Sequence, residues 1–226
     1  MEIAGLQKMT LLDYPEHIAC TVFLPGCNLR CPFCHNASLV LRSQPALSQE
    51  ELLAFLSTRQ RKLDGVCVTG GEPTLHKELP GLLEAIQALG FSVKLDTNGT
   101  RPQVLRQLLE AGLVDYAAMD VKNSPAKYAC TCGGPEVLDA VRESITLLQE
   151  SAVEHEFRTT VLHPFHTPED LAAIGRWLRG TDRYFIQQFV DSGDLIGSGT
   201  ALTEAELQAL LDAVRPDIPN AQLRGV

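Results

Sequence analysis

Six short apolar runs of strand character alternate with amphipathic helical stripes along most of this 226-residue chain. The runs combine β-branched and apolar residues and end at turn-forming residues, which predicts strands. The predicted strands occupy residues 17–24, 66–69, 91–96, 114–120, 156–162 and 184–190. Strict alternation predicts an α/β fold with a parallel sheet and right-handed crossovers. Six units are too few for a closed eight-unit barrel, so either a partial barrel or a doubly wound sheet is expected.

Start signals mark several of the intervening helices. Ser48 and Glu51 form a capping-box pattern, Thr167 and Thr203 are N-cap candidates, and Pro135 suits a first helical position. The last helix is predicted at about residues 203–214. The alternation runs without a long linker, a low-complexity stretch or a repeat. We therefore expect a single domain over residues 1–226, with its core at about residues 17–190.

Composition and charge limit the kinds of molecule that this chain is expected to bind and where it is expected to be located. A hydrophobic fraction of 45% and a charged fraction of 21% are typical of globular proteins. A formal net charge of -9 without a run of Lys and Arg gives no reason to expect binding to nucleic acid. No apolar stretch approaches the roughly 20 residues of a membrane span, and the N-terminus lacks the pattern of a secretory signal. These features predict a cytoplasmic location.

The unusual residues follow the predicted strands at the ends where each strand stops. The first strand leads into three clustered cysteines, the second into Gly70-Gly71-Glu72-Pro73, the third into Asp96-Thr97-Asn98-Gly99 and the fourth into Asp120-Val121-Lys122. The carboxyl ends of parallel strands share one rim of the sheet, and α/β folds bind ligands at that rim. The sequence therefore predicts one site at this rim.

Cys27, Cys31 and Cys34 can wrap one metal centre from a single loop. Thiolates are soft ligands that favour zinc, copper(I) or iron–sulfur clusters. A structural zinc site needs four closed ligands, so a zinc interpretation must recruit His35 or a distant cysteine. A [4Fe–4S] cluster held by three cysteines leaves one iron open for a small molecule. The three-cysteine set favours the iron–sulfur interpretation.

The cysteine spacing C-x3-C-x2-C, with Phe33 before the third cysteine, resembles that of the radical S-adenosylmethionine (SAM) superfamily. The stretch from Gly26 to Asn36 is similar to activating enzymes of glycyl-radical enzymes. The segments Gly5-Leu6-Gln7-Lys8 and Leu12-Asp13-Tyr14-Pro15 resemble anaerobic ribonucleoside-triphosphate reductase activating proteins. The resemblance extends from residue 1 to about residue 190. It implies a partial (β/α)6 barrel of the radical SAM type.

The resemblance also implies a reaction. SAM would bind the open iron through its amino and carboxylate groups, and an electron from the cluster would cleave SAM to methionine and a 5′-deoxyadenosyl radical. In activating enzymes this radical abstracts hydrogen from a glycine of a partner glycyl-radical enzyme. The implied partner is an anaerobic ribonucleotide reductase, and the implied electron donor is reduced flavodoxin or ferredoxin.

The same resemblance assigns the rim residues to SAM. The glycine pair and Glu72 would meet the SAM ammonium, Lys122 its carboxylate, and Asp120 the ribose hydroxyls or a cation. Asp96 and Thr97 would line the pocket, with a monovalent cation beside the cofactor as one option. The expected SAM-site residues are Phe33, His35, Gly70, Gly71, Glu72, Asp96, Thr97, Asp120, Lys122, Arg158 and Gln188.

Other motifs have simpler interpretations. Cys130 and Cys132 are expected to be inert thiols in a loop, and His163 and His166 to be solvent-exposed. Two other functions stay open: a radical SAM enzyme that acts on a small molecule, a peptide or an RNA base, and a non-catalytic metal-binding interaction module.

Overall fold

The computed structural model describes residues 1–34, 36–40, 47–134 and 136–225. The strands are β1 (Glu2–Ile3), β2 (Gly5–Thr10), β3 (Ala19–Leu24), β4 (Leu47–Ser48), β5 (Gly65–Gly70), β6 (Ser92–Thr97), β7 (Tyr116–Asp120), β8 (Glu154–Val161), β9 (Tyr184–Gln188) and β10 (Gln222–Arg224). The helices are α1 (Ala37–Val40), α2 (Gln49–Ser57), α3 (Leu79–Ala88), α4 (Pro102–Glu110), α5 (Tyr128–Thr131), α6 (Leu138–Glu150), α7 (Pro168–Trp177) and α8 (Glu204–Val214). A 3-10 turn spans Pro73–Leu75.

One sheet of eight strands carries the fold, in the order β10-β9-β8-β7-β6-β5-β3-β2. The strands from β3 to β10 in this sheet are parallel, and β2 runs antiparallel to β3 at one edge. Within the described residues the two edge strands do not pair with each other, so the sheet is open. The predicted α/β fold with an open, mostly parallel sheet is confirmed. Strands β1 and β4 form a separate antiparallel pair.

The six predicted strands correspond to β3, β5, β6, β7, β8 and β9, with ends that differ by at most two residues. The edge strands β2 and β10 were not predicted. Strand β2 has an exposed middle and lacks the apolar signal of the inner strands, and β10 has three residues. The capping boxes of α2, α7 and α8 are present. The prediction for Pro135 lies outside the described residues.

Helices cover one face of the sheet through apolar stripes. Helix α3 buries Leu79, Leu82, Leu83 and Ile86, a spacing that places them on one side of the helix. The inner strands are buried over most of their length, as expected for a parallel sheet covered by helices. No helix in the described ranges combines the length and apolarity that crossing a membrane requires.

The end of β5 packs against the end of β3 without room for a side chain. Gly70 has a φ of 125°, and a Cβ there would lie 2.3 Å from both the backbone nitrogen and the backbone oxygen of Leu24. Only glycine adopts this conformation at low cost. The close approach brings the two rim loops that follow β3 and β5 together.

We predict that Gly70→Ala lowers the free energy of unfolding by at least about 2 kcal/mol, through backbone overlap and a strained φ. Gly81→Ala is the matched control, because Gly81 lies in α3 and a Cβ at this position would meet nothing within 4 Å. The control is expected to be neutral or to stabilise by up to about 1 kcal/mol. Chemical denaturation measures both variants, and equal values would contradict the prediction.

Candidate active site

The loop between β3 and α1 carries Cys27, Cys31 and Cys34. Cys31 is buried, whereas the other two cysteines are half-buried. The amide of Cys34 donates to the Cys31 carbonyl at 3.0 Å, and the amide of Leu29 donates to the Cys27 sulfur at 3.4 Å. Backbone geometry within the loop thus already directs one N–H group to a thiol.

This cysteine loop is anchored on the glycine turn after β5. The amide of Gly71 donates to Leu24 O at 2.9 Å, and the amide of Glu72 donates to Gly26 O at 2.8 Å. A Cβ on Gly71 would lie 2.0 Å from Gly26 O. The two glycines therefore have a packing role that holds in the absence of any ligand.

Two asparagines that the sequence analysis did not assign join the cysteine loop to the turn after β6. Asn28 donates to Thr100 Oγ1 at 2.8 Å, and Asn98 donates to Asn28 Oδ1 at 3.1 Å. The side-chain amide nitrogen of Asn98 also lies 3.8 Å from the Cys27 sulfur. The sequence hint that these asparagines belong to the site was their position within the two rim motifs. Their contact could not be predicted, because no spacing rule connects residues 70 positions apart.

Burial and one nearby cation have opposite effects on the pKa values of the three thiols. Burial raises the pKa values of Cys27 and Cys34, and the Lys122 ammonium acts on both in the opposite direction. The neighbouring Cys132 thiol and Lys122 lower the pKa of Cys31 to about 7 against the effect of burial. A cation close to three thiols favours their thiolate forms, which are the forms that bind metal.

The donor set fits a cubane iron–sulfur cluster. Across the described residues no three side chains of His, Cys, Asp or Glu converge to hold a single metal ion. A [4Fe–4S] cluster makes no such demand, because each cysteine binds a different iron. Three soft thiols, an amide N–H directed at one of them and a neighbouring ammonium suit an anionic cluster.

Glu72 is fully buried, and its carboxylate joins the rim loops. It accepts from the amide and hydroxyl of Thr74, from Thr97 Oγ1 at 2.8 Å and from the Asn98 amide at 2.6 Å. Burial raises the pKa of Glu72 and these donors lower it, with burial the larger effect. The Glu72 carboxylate and the Thr97 hydroxyl thus already form hydrogen bonds with each other and with the neighbouring loops.

A chain of ion pairs crosses the inner face of the sheet. Lys122 lies 3.0 Å from Asp120, Arg158 bonds Asp120 at 2.9 Å and Asp96 at 3.3 Å, and Lys94 pairs with Asp96. Three cations thus alternate with two carboxylates. Burial alone would raise the pKa of Asp120, but Arg158 and Lys122 hold it well below its usual range. Burial would lower the pKa of Lys122, but the charge and hydrogen bond of Asp120, together with Cys31, raise it above its usual range.

A cavity of about 270 Å³ opens beside this chain of charges, and Asp96, Asp120 and Arg158 line it with Gln187. The structure does not bring Gln188 into this group. Its amide donates to Leu202 O at 2.6 Å, on the opposite side of the strand. Neighbouring strand residues alternate between faces, so a strand prediction without register does not distinguish the two glutamines.

The cavity wall also includes two residues near the N-terminus that no prediction assigned to the site. Gln7 lies on β2, and Asp13 follows it and accepts a hydrogen bond from Thr21. Asp13 belongs to a segment that carried the family resemblance, but only the pairing of β2 with β3 brings that segment to the cavity.

Phe33 is buried, and its ring packs 5.7 Å from Phe165 and 6.2 Å from His166. His166 is also buried, which corrects the expectation that it is solvent-exposed. Its Nε2 lies 2.9 Å from the Lys122 carbonyl oxygen, and the Leu162 amide faces its Nδ1. The neighbouring His163 is exposed, as expected. The prediction for His35 lies outside the described residues.

The sequence profile of the Radical SAM superfamily matches residues 21–178, more than half of the chain. That range includes the three cysteines and the rim residues up to Arg158. The chain belongs to the radical SAM superfamily. It is therefore an enzyme of a family whose chemistry uses a [4Fe–4S] cluster and SAM.

Two curated relatives illustrate the family. A Methanocaldococcus jannaschii protein, provisionally named a glycyl-radical enzyme activating enzyme, is 34% identical over 195 residues, covering 83% of this chain and 79% of its own. A 7-carboxy-7-deazaguanine synthase of Thermococcus kodakarensis is 30% identical over 150 residues, covering 57% of this chain and 58% of its own.

A solved structure agrees with the radical SAM fold. Streptococcus suis SuiB bound to S-adenosylmethionine superposes with a TM-score of 0.70 at 16% identity. The match covers 91% of this chain and 52% of the SuiB chain. This radical SAM chain thus spans about half the length of that neighbour. The predicted partial-barrel fold of the radical SAM type is confirmed.

We predict that Arg158→Gln lowers the free energy of unfolding by about 3 kcal/mol, because it leaves Asp96 and Asp120 without their shared partner. Arg106→Gln is the control, since Arg106 forms an exposed pair with Glu143 at 3.2 Å. Loss of an exposed pair costs at most about 1 kcal/mol. Chemical denaturation without cofactor tests both, and an Arg158→Gln value no larger than that of the control would contradict the prediction.

Glu72→Gln tests whether the carboxylate holds the rim loops together. The amide end of glutamine would face the N–H and O–H donors that now bind the carboxylate, and we expect a loss of about 1–3 kcal/mol in unfolding free energy without SAM. The exposed Glu84→Gln in α3 is the control. A carboxylate that acted on SAM alone would leave the stability of the cofactor-free protein unchanged.

Proposed function

We propose that this radical SAM enzyme installs a glycyl radical on a partner protein, an anaerobic ribonucleoside-triphosphate reductase. The main observation that supports this proposal is that the cysteine loop lies at the rim of an open, charged cavity, next to Lys122 and the ion-pair chain. The 34% identity to the Methanocaldococcus jannaschii relative supports an activating enzyme. The activity and partner of the whole protein are part of this proposal.

Cys27, Cys31 and Cys34 would each bind one iron of the cluster and leave the fourth iron to SAM. When bound, the pair of cofactors supplies reductive cleavage of SAM and hydrogen abstraction from the partner glycine. Lys122, whose ammonium acts on the Cys31 thiol, would pair with the SAM carboxylate. This pairing requires Lys122 to share its charge with Asp120.

The remaining rim residues would position the polar parts of SAM. The backbone of Gly70 and Gly71 would meet the ammonium, because the Glu72 carboxylate is already satisfied by four donors. Asp120 would bond the ribose. A monovalent cation beside SAM stays a prediction, since Lys94, Arg158 and Lys122 already pair with Asp96 and Asp120.

The partner and the cellular setting complete the proposal. The chain would act as a single domain over residues 1–226 in the cytoplasm, with reduced flavodoxin or ferredoxin as electron donor. The open edge between β2 and β10 would admit the glycine-bearing loop of the reductase. A net charge of -9 supports a partner other than nucleic acid.

A second candidate keeps the cofactor chemistry and changes the substrate. The relative from Thermococcus kodakarensis is named for a small-molecule product, and it matches more than half of this chain. A small polar molecule would bind in the same cavity of about 270 Å³. The partner experiment below separates the two candidates.

Replacing any one of Cys27, Cys31 or Cys34 by alanine is expected to abolish the cluster absorbance and the release of 5′-deoxyadenosine in the anaerobically reconstituted protein. The exposed Cys130→Ala is the matched control and should keep both signals. Iron analysis, absorbance and product chromatography with dithionite and SAM are the measurements. Cluster retention in a Cys31→Ala protein would contradict the ligand assignment.

The partner test mixes the reconstituted protein, SAM and dithionite with a reductase whose gene lies nearby and encodes a C-terminal glycyl-radical motif. Electron paramagnetic resonance should then show a glycyl-radical doublet on the reductase. SAM cleavage without a doublet would favour the small-molecule candidate. If SAM is not cleaved under a strong reductant, the result would favour the non-catalytic metal-binding interaction module.

A further inference from the structure

The main chain of Lys122 leaves the sheet just after the end of β7, and side chains rather than a neighbouring strand hold it there. Its amide donates to the Tyr128 hydroxyl at 3.3 Å. Its carbonyl oxygen lies 2.9 Å from Nε2 of the buried His166. Buried backbone groups need partners, and a loop beyond the strand ladder obtains them from side chains. The direction in which Lys122 presents its ammonium therefore depends on two side chains to which the proposed function gives no role.

The two ring nitrogens of His166 have fixed roles in this contact. A backbone amide can only donate a hydrogen bond, so the Leu162 amide at 3.4 Å requires Nδ1 to be the acceptor. A carbonyl oxygen can only accept, so the Lys122 oxygen requires Nε2 to carry the proton. Burial lowers the pKa of His166, which favours this neutral form. The ring is thus held as one neutral tautomer that donates to Lys122.

The loop between β8 and α7, which carries His166, also contacts the cysteine loop. The His166 ring meets the Phe33 ring edge-on, with centroids 6.2 Å apart, and the Phe165 ring lies 5.7 Å from Phe33. The Phe165 carbonyl oxygen accepts from Asn123, the residue after Lys122, at 3.0 Å. This loop therefore joins the segment that presents Lys122 to the segment that carries the thiols.

We propose that His166 is a positioning residue whose hydrogen bond to the Lys122 carbonyl oxygen holds Lys122 where its ammonium meets the SAM carboxylate. Asp120 bonds the ammonium at 3.0 Å, and His166 bonds the main chain of the same residue. This role rests on the proposed function through the assignment of Lys122 to the SAM carboxylate. His166 acts through Lys122 and is assigned no contact with SAM itself.

A small set of substitutions separates the hydrogen bond from the packing of the ring. His166→Phe keeps an aromatic ring and removes the donor, His166→Leu removes both, and His166→Gln keeps a donor N–H without the ring. None of them reproduces the Nδ1 acceptor that faces the Leu162 amide, so this loss is common to the three variants. His163→Gln is the matched control, because His163 lies in the same loop and is exposed in a pair with Glu206 at 2.9 Å.

The experiment measures the dissociation constant of SAM by equilibrium dialysis with anaerobically reconstituted, full-length proteins at matched iron per chain. No reductant is added, so SAM stays intact. We expect His166→Phe and His166→Leu to weaken SAM binding by about tenfold, the lower end of the loss when a partner that orients a binding group is removed. His166→Gln should retain most of the wild-type affinity, and His163→Gln all of it. Chemical denaturation without SAM establishes that each variant is folded, and either donor-free variant is sufficient for the comparison.

A double-substitution cycle tests whether the effect passes through Lys122. Lys122→Met removes the ammonium and leaves the carbonyl oxygen available to His166. Additive losses are expected only for independent sites, so adding His166→Phe to Lys122→Met should weaken SAM binding by less than about twofold. A residue that only stabilised the fold would give the same further loss in both backgrounds.

Three results would overturn the proposed role of His166. They are wild-type affinity in the donor-free variants, equally weak binding by His166→Gln, and an undiminished effect of His166→Phe in the Lys122→Met protein. A wild-type protein that does not bind SAM, or a Lys122→Met protein that binds it as well as the wild type, would overturn the proposed function at Lys122 as well. Weakened binding by Lys122→Met together with any of the three results overturns the role of His166 alone.

Discussion

The buried carboxylate of Glu72 is the interaction on which the rim of this protein depends. A carboxylate removed from water is costly unless hydrogen bonds replace its hydration, and Glu72 obtains them from the loops after β5 and β6. Its own amide meets Gly26, at the start of the cysteine loop. Three loops from three strands are therefore held as one unit. Asn98, placed by this unit, reaches across to Asn28 and the Cys27 sulfur.

The register of the strands determines which charged side chains lie next to each other in the site. Asp120 pairs in register with Arg158 on β8, and Asp96 on β6 pairs with Ala118, two residues before Asp120 on β7. The alternating charges of Lys94, Asp96, Arg158, Asp120 and Lys122 pair with one another. Lys122 ends this chain, and its ammonium acts against burial on the pKa values of Cys27, Cys31 and Cys34. The fold thus provides the charge before any cofactor enters.

Local patterns predicted most of the scaffold. The six inner strands and the capped helices carry strong periodic signals, and the structure has each of them. Strands β2 and β10 lack such signals, because an edge strand is defined by its pairing with a neighbour more than by its own residues. Among the predicted site residues, Asp96, Asp120 and Arg158 line the cavity together, whereas Gln188 faces away and Gln187 takes its place. The individual SAM contacts and the place of His35 stay predictions.

The sequence by itself determined the family, the three clustered thiols and the rim on which they lie, because cysteine spacing and strand–helix alternation are local properties of the chain. Only the tertiary structure decided which groups meet there. It directed the Glu72 carboxylate inward, buried His166 against Lys122, and joined Cys132 to the cysteine loop through the Arg30 amide. These contacts join residues tens to about one hundred positions apart. Their geometry depends on strand register and loop packing, which no short pattern encodes.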